Sequence, residues 1–259
     1  MRLLPCAMLA AMATAAQAEG PVLDLPGFPD YAILGTGAGP RYPGSDETVW
    51  AVVPAARKSF GARYVSLEAN YLSINLLDQP NWKAGPAGIL RFGRGEADDP
   101  AIDALPDIAI SVDLGGFVAW ETGGADPRDR WRIGAGVLQD ATGVHDGYVA
   151  DLNLRRWLPV GRYGALGLGL AASWASEDYM DTYFSVDARA SALSGLPSYS
   201  AGAGWRDARI TAIYVQPVSR HWAVGAGLLY AHLLDGAADS PVTASRGQLF
   251  GGVGIARAW

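Results

Sequence analysis

RGQLFGGVGIARAW, residues 246–259, alternates along its length. Leu249, Gly251, Val253, Ile255 and Trp259 share one parity; Gln248, Gly252, Gly254 and Ala256 share the other. A period of two is the signature of a strand, here with an apolar face and a face of small or polar groups. An aromatic at the end of such a strand has a use in a bacterial outer-membrane barrel. There the last strand closes the sheet onto the first, and the aromatic sits in the interfacial girdle. Arg257 falls on the apolar face and has to reach the head groups with its guanidinium. The competing reading is an edge strand of a soluble sandwich, and the remaining sequence separates the two.

Working outward, the bulk composition points the same way. The chain has 259 residues, is 50% hydrophobic and only 18% charged, below the roughly 25% of soluble domains. Net charge is −6, lysine occurs only at Lys58 and Lys83, and no basic run offers a nucleic-acid footprint. MRLLPCAMLAAMATAAQA at 1–18 reads as an export signal: Arg2, an apolar core from Leu3 to Ala15, and Ala16-Gln17-Ala18 as the cleavage site, with cutting after Ala18. Cys6, the single cysteine, lies within it. Beyond that segment no run of 18 or more apolar residues occurs. Helical spans are excluded, so a membrane could be crossed only by a closed barrel.

Residues 19–30 are rich in proline and form a periplasmic lead-in. From Tyr31 the chain repeats an alternating run followed by a turn cluster. The expected fold is all-β: a single antiparallel transmembrane β-barrel over 31–259. The expected strands are 31–42, 48–57, 62–75, 82–94, 108–121, 129–140, 146–158, 163–176, 199–206, 208–217, 221–234 and 246–259. That is about 12 strands, with 10 as the alternative if 199–217 is one bent strand. Residues 177–198 alternate poorly and read as partly helical. The runs are longer than the five or six residues usual in globular sheets. Trp50, Trp82, Trp120, Trp131, Trp157, Trp174, Trp222 and Trp259 fall near strand ends, as girdle residues do. On this parity Glu68, Arg91, Asp113, Glu121, Arg132, Asp151 and Arg155 face the lumen. Opposite charges in a narrow lumen have to pair or stay wet, so a cross-lumen ion-pair network is expected.

The candidate motifs for chemistry are thin. Gly35, Gly37 and Gly39 have the spacing GxGxG, not GxGxxG, and no helix follows. Glycine pairs at 134/136, 167/169, 225/227 and 252/254 instead read as places where strands bend or large neighbours fill space. Asp98, Asp99, Asp103 and Asp107 lack the calcium-loop pattern. His145, His221 and His232 have no metal-ligand spacing, and no GxSxG nucleophile context occurs. No catalytic, cofactor-binding or metal-binding residue is assigned, and the chain reads as non-enzymatic.

Five further elements in order carry a resemblance: RYPGSDE (41–47), LSINLLD (72–78), GRGEADDPAIDALPDI (93–108), YMDTYFSV with SGLPSYSAGAG (179–186, 194–204), and HWAVGAGLLYAHLL with GAADSPV (221–234, 236–242). In these the chain resembles the MipA/OmpV family of outer-membrane proteins. The resemblance implies a barrel in outer-membrane lipid and a scaffold that brings a murein lytic transglycosylase together with a penicillin-binding protein. It carries no catalytic residues. With strand one running outward, the periplasmic turns would include 58–62, 95–107 and 177–198, the last two being the expected contacts. A small-solute channel is the alternative, requiring an open lumen. An outer-membrane hydrolase is a third reading, requiring His145 or His232 to meet a serine or aspartate at one rim.

Overall fold

A computed structural model describes residues 25–259; the expected leader at 1–18 and positions 19–24 lie outside the described residues. The chain folds as a closed antiparallel barrel of twelve strands. They are β1 (Tyr31–Pro40), β2 (Thr48–Phe60), β3 (Arg63–Glu68), β4 (Tyr71–Asn75), β5 (Trp82–Arg91) and β6 (Ser111–Gly123), then β7 (Arg130–Asp140), β8 (Tyr148–Val160), β9 (Gly164–Ala175), β10 (Gly204–Pro217), β11 (Trp222–Leu233) and β12 (Gly247–Ala258). Each strand pairs with the next, and β12 closes on β1 with Gly35 opposite Gly254 and Gly37 opposite Gly252. Gln248 of β12 is fully buried and ties its end to the β1–β2 loop: Gly44 N–H donates to its Oε1 (3.2 Å), and its Nε2 donates to the Ser45 carbonyl (3.1 Å).

The strand count matches expectation, but two boundaries differ and their errors cancel. Residues 62–75 are not one strand. They form the short hairpin β3–β4, turning at Ala69, which adopts φ 55. Pro54 of β2 has no N–H to extend the ladder beyond Glu68, so the pairing stops there. The turn is then pinned from both sides: Ala69 N–H donates to Pro54 O (2.8 Å) and Asn70 Nδ2 to Leu90 O (2.8 Å). Conversely, 204–217 is one strand with a bulge between Trp205 and Asp207, while Tyr199 makes only an isolated bridge to Val186.

The extra turn reverses every strand direction from β4 until the bulged β10. The turn at 61–62 stays with the termini, as expected for 58–62. Segments 95–107 and 177–198 lie at the opposite end of the barrel, contrary to expectation. That far end carries every helix among the described residues: α1 (Pro100–Asp103), α2 (Glu177–Phe184), α3 (Ala188–Ser194) and α4 (Asp235–Asp239). Tyr179, Met180, Tyr183 and Phe184 recur at helical spacing and bury one face of α2 against Val149, Leu233 and Ala237. Each side chain of this size gains ~2 kcal/mol on burial. Asp187 caps α3, accepting from Ala190 N–H (2.6 Å), and Gly195 (φ 75) ends it.

Outward aromatics form two rims: Trp50, Tyr148, Trp205 and Tyr230 toward the far end, and Trp82, Trp120, Trp131, Tyr163 and Trp222 toward the termini. Arg257 sets its guanidinium 5.8 Å from the Trp222 ring. Trp157 does not belong to a rim. It is 1% exposed and points inward, where it joins Leu25, Tyr31, Ile213 and Val215 at the foot of the lumen.

Candidate functional site

The lumen has two unlike walls. On β11, β12 and β1 the inward positions are glycines held in cross-strand register: Gly225, Gly254 and Gly35 in one tier, Gly227, Gly252 and Gly37 in the next. A Cβ at Gly37 would lie 2.8 Å from Gly251 O, and one at Gly252 would lie 2.9 Å from Thr36 O. At these positions the neighbouring strand's carbonyl takes the place a side chain would need. A largely apolar cavity of about 200 Å³ lies along this wall, bounded by Leu25, Ile33, Ile213 and Phe250, with Glu68 and Thr211 at its polar side.

The opposite wall, β5 to β10, carries most of the charges; six of the seven residues singled out in the sequence lie on it and Glu68 lies on β3, and all seven are buried. Arg91 bonds Asp113 through Nε. Arg132 bonds Glu121, its cross-strand partner, and Arg155 follows next in register. Asp151 is bonded by Arg209, whose Nη2 also reaches Ser173 Oγ (2.6 Å). Glu68 accepts from Ser66 Oγ (3.4 Å). Thus Arg91 meets Asp113 and Arg132 meets Glu121, while Asp151 takes a partner the alternation did not single out.

Arg206, Asp207, Arg209 and His145 are the additional members. The β10 bulge turns consecutive residues, Arg206 and Asp207, to the same side, and strict period-two counting cannot place both inward. Arg206 donates to Asp207 (2.6 Å) and to the Tyr179 hydroxyl (2.9 Å). Arg209 Nε lies 2.9 Å from Asp207 Oδ1, close enough for ionic attraction but outside hydrogen-bond geometry. Charges buried this way are destabilising when single and near neutral when paired.

His145 sits under α2 with its ring edge-on to Tyr179 and Tyr183. Gly147 N–H donates to Nδ1 (3.1 Å), which assigns the ring proton to Nε2; Nε2 donates to Asp113 (3.1 Å). Ser111 Oγ also donates to Asp113 (3.0 Å). Both ring nitrogens are therefore engaged, and the aspartate that the hydrolase reading asked His145 to meet is Asp113. Asp113, Asp140 and His145 do bring potential ligand atoms within 4.8 Å of one another. However, Asp140 accepts from the backbone N–H groups of Thr142, Val144, His145 and Asp146. Those bonds shape the β7–β8 turn and occupy its carboxylate. His232, the other histidine weighed for catalysis, points outward beside Tyr230.

A twelve-strand barrel with two aromatic rims, a charged lumen and long loops at one end is of the outer-membrane class. The chain belongs to the MltA-interacting protein MipA family, which matches residues 33–259. Its relatives include "Putative outer membrane protein YiaT" of Escherichia coli O157:H7 and of strain K12. Each is 30% identical over 155 residues, 59% of this chain and 59% of the relative, so the chain spans less than two thirds of these curated relatives' length. Among solved structures, the NanC porin overlaps with a TM-score of 0.48 at 8% identity, over 89% of this chain and 100% of that one. The translocator domain of autotransporter NalP from Neisseria meningitidis overlaps with a TM-score of 0.38 at 12% identity, over 92% and 91%. Overlap at this level says nothing about activity.

Proposed function

We propose that this barrel is a non-enzymatic scaffold for murein-processing enzymes, a lytic transglycosylase and a penicillin-binding protein, and that it meets them at the end carrying its termini. The observation that carries the reading is membership of a family named for interaction with MltA. Two features of the interior support it. The lumen foot is filled by Leu25, Phe28 and Trp157, and the far mouth by the buried face of α2, so the barrel does not favour a solute channel. Both ring nitrogens of His145 are taken, by Gly147 N–H and by Asp113.

The reversal of strand directions moves the proposed contact surface. Short turns face the periplasm in barrels of this class and long loops face outward. Segments 95–107 and 177–198 therefore leave the list of contacts. In their place stands a cleft of about 550 Å³ between the lead-in and the turns at 76–81 and 124–129. Arg57, Lys83, Asp126, Asp129 and Arg130 line it. The test is capture of a purified lytic transglycosylase by the folded barrel. Replacing turn 124–129 with a two-residue Asn-Gly turn should weaken capture at least tenfold, whereas deleting α3 should leave it unchanged. Capture that depends on α3, or no capture by the intact barrel, would overturn the reading.

A further inference from the structure

A second site lies in the far loops, independent of the proposed scaffold surface. Arg94 follows β5 and is held by a bridge to Ile108, with mutual backbone hydrogen bonds of 3.0 and 2.7 Å. It is 7% exposed. Its guanidinium makes one long hydrogen bond, from Nη1 to the Tyr183 carbonyl (3.4 Å), and its Nε has no partner. Among the described residues no carboxylate comes within ion-pair distance of it, unlike the paired arginines at Arg91, Arg132, Arg206 and Arg209. Asp107 is the carboxylate that acts on it, from beyond ion-pair distance, and a buried guanidinium without a direct ionic partner is unfavourable unless something else supplies one.

Arg94 forms part of a groove of about 620 Å³ between residues 105–108 and the α2–α3 segment. Ser185, Ser198 and Tyr199 add hydroxyls to its lining. Asp107 and Asp181 stand at its exposed edge, and neither is in an ion pair among the described residues. Asp187 also borders it, but its carboxylate caps α3. A buried positive charge with an acidic rim sorts ligands by charge pattern. A simple anion is repelled at the rim, and a simple cation is repelled by the buried guanidinium. A molecule with a carboxylate at one end and an ammonium at the other satisfies both. The volume lies within the usual range for small-ligand pockets.

We propose that this groove binds a zwitterion of the amino-acid or short-peptide class, its carboxylate on Arg94 and its ammonium at Asp107 and Asp181. The experiment is calorimetry on the folded full-length barrel in detergent, with L-alanyl-L-alanine as the probe. Saturable binding is expected, weakened at least tenfold by amidating the dipeptide carboxylate and severalfold by acetylating its amine. Arg94→Gln should abolish binding while leaving the melting temperature unchanged or higher. Should that variant fail to fold, the exposed Asp181→Asn provides the test, with severalfold weaker binding expected. The proposal is overturned by absence of saturable dipeptide binding, by binding indifferent to these variants, or by inorganic phosphate binding more tightly than the dipeptide.

Discussion

The two lumen walls reach the same end, a narrow closed interior, by opposite means. Midway along β11, β12 and β1 two tiers of glycines face the lumen, and neighbouring backbone fills the space where side chains would stand. Along β5 to β10 the wall is lined with long charged side chains that cancel one another. The outer faces of both walls are alike, carrying exposed apolar side chains such as Leu34, Val253, Leu152 and Ile210. Outside, lipid imposes one solution; inside, the fold is free to use either shape or charge.

The largest effect should come from breaking the charged wall. Asp113→Ala leaves Arg91 and His145 buried without their acceptor. It is expected to cost about 3–5 kcal/mol, measured by urea titration in lipid. Replacing the pair together, Arg91→Met with Asp113→Leu, should cost less than the single change, because no uncompensated charge remains. A double variant less stable than Asp113→Ala would show that the pair is held for more than charge balance. On the outer face the two walls should respond equally: Leu34→Arg on β1 and Leu152→Arg on β8 should each lose about 2–4 kcal/mol if near the bilayer midplane. The glycine wall should be sensitive to volume rather than charge. Gly37→Val, with its branch against the Gly251 carbonyl, should cost about 1–3 kcal/mol, whereas Gly161→Val in an open turn, at φ 57, tests backbone strain alone.

The smallest effect concerns pH at the foot of the glycine wall. Lys58 and the Ser59 N–H hold the Asp30 carboxyl below its ordinary value. A carboxyl lowered on folding adds stability above its unfolded value, and that contribution fades as pH falls through the folded one. Below about pH 4, the protection of the Ser59 amide from hydrogen exchange, taken relative to its intrinsic rate at each pH, should fall, with the barrel otherwise intact. Unchanged protection down to pH 2 would show that the Asp30 carboxylate does not hold the Ser59 amide.

Much of this was readable in the sequence because the bilayer enforces period two. The alternation of 108–121, 146–158, 221–234 and 246–259 fixed which face each side chain takes. Reading failed where local rules gave way to neighbours. The turn at Ala69 has no glycine or proline to announce it; the missing N–H of Pro54, on the adjoining strand, ends the ladder. The bulge in β10 hid Arg206, Asp207 and Arg209, so the partner of Asp151 was missed. His145 meets Asp113 across 32 positions of sequence, a distance that no spacing rule covers. Trp157 has the strand-end position of a rim residue, and only the sign of its parity, shared with inward Asp151 and Arg155, marked it as internal.

The short β3–β4 hairpin also sets how deep the molecule floats. Because it turns at Ala69, no strand flanks the outer edge of β2 from Val49 to Val53 among the described residues. Hydrocarbon cannot solvate a bare strand edge, so on this flank the oily layer has to end near Val53. Trp50, 68% exposed, stands just above that level, where a tryptophan marks the waterline. The bilayer is therefore shallower along β2 than the full height of the strands would allow, and the molecule carries a fixed depth mark on one side.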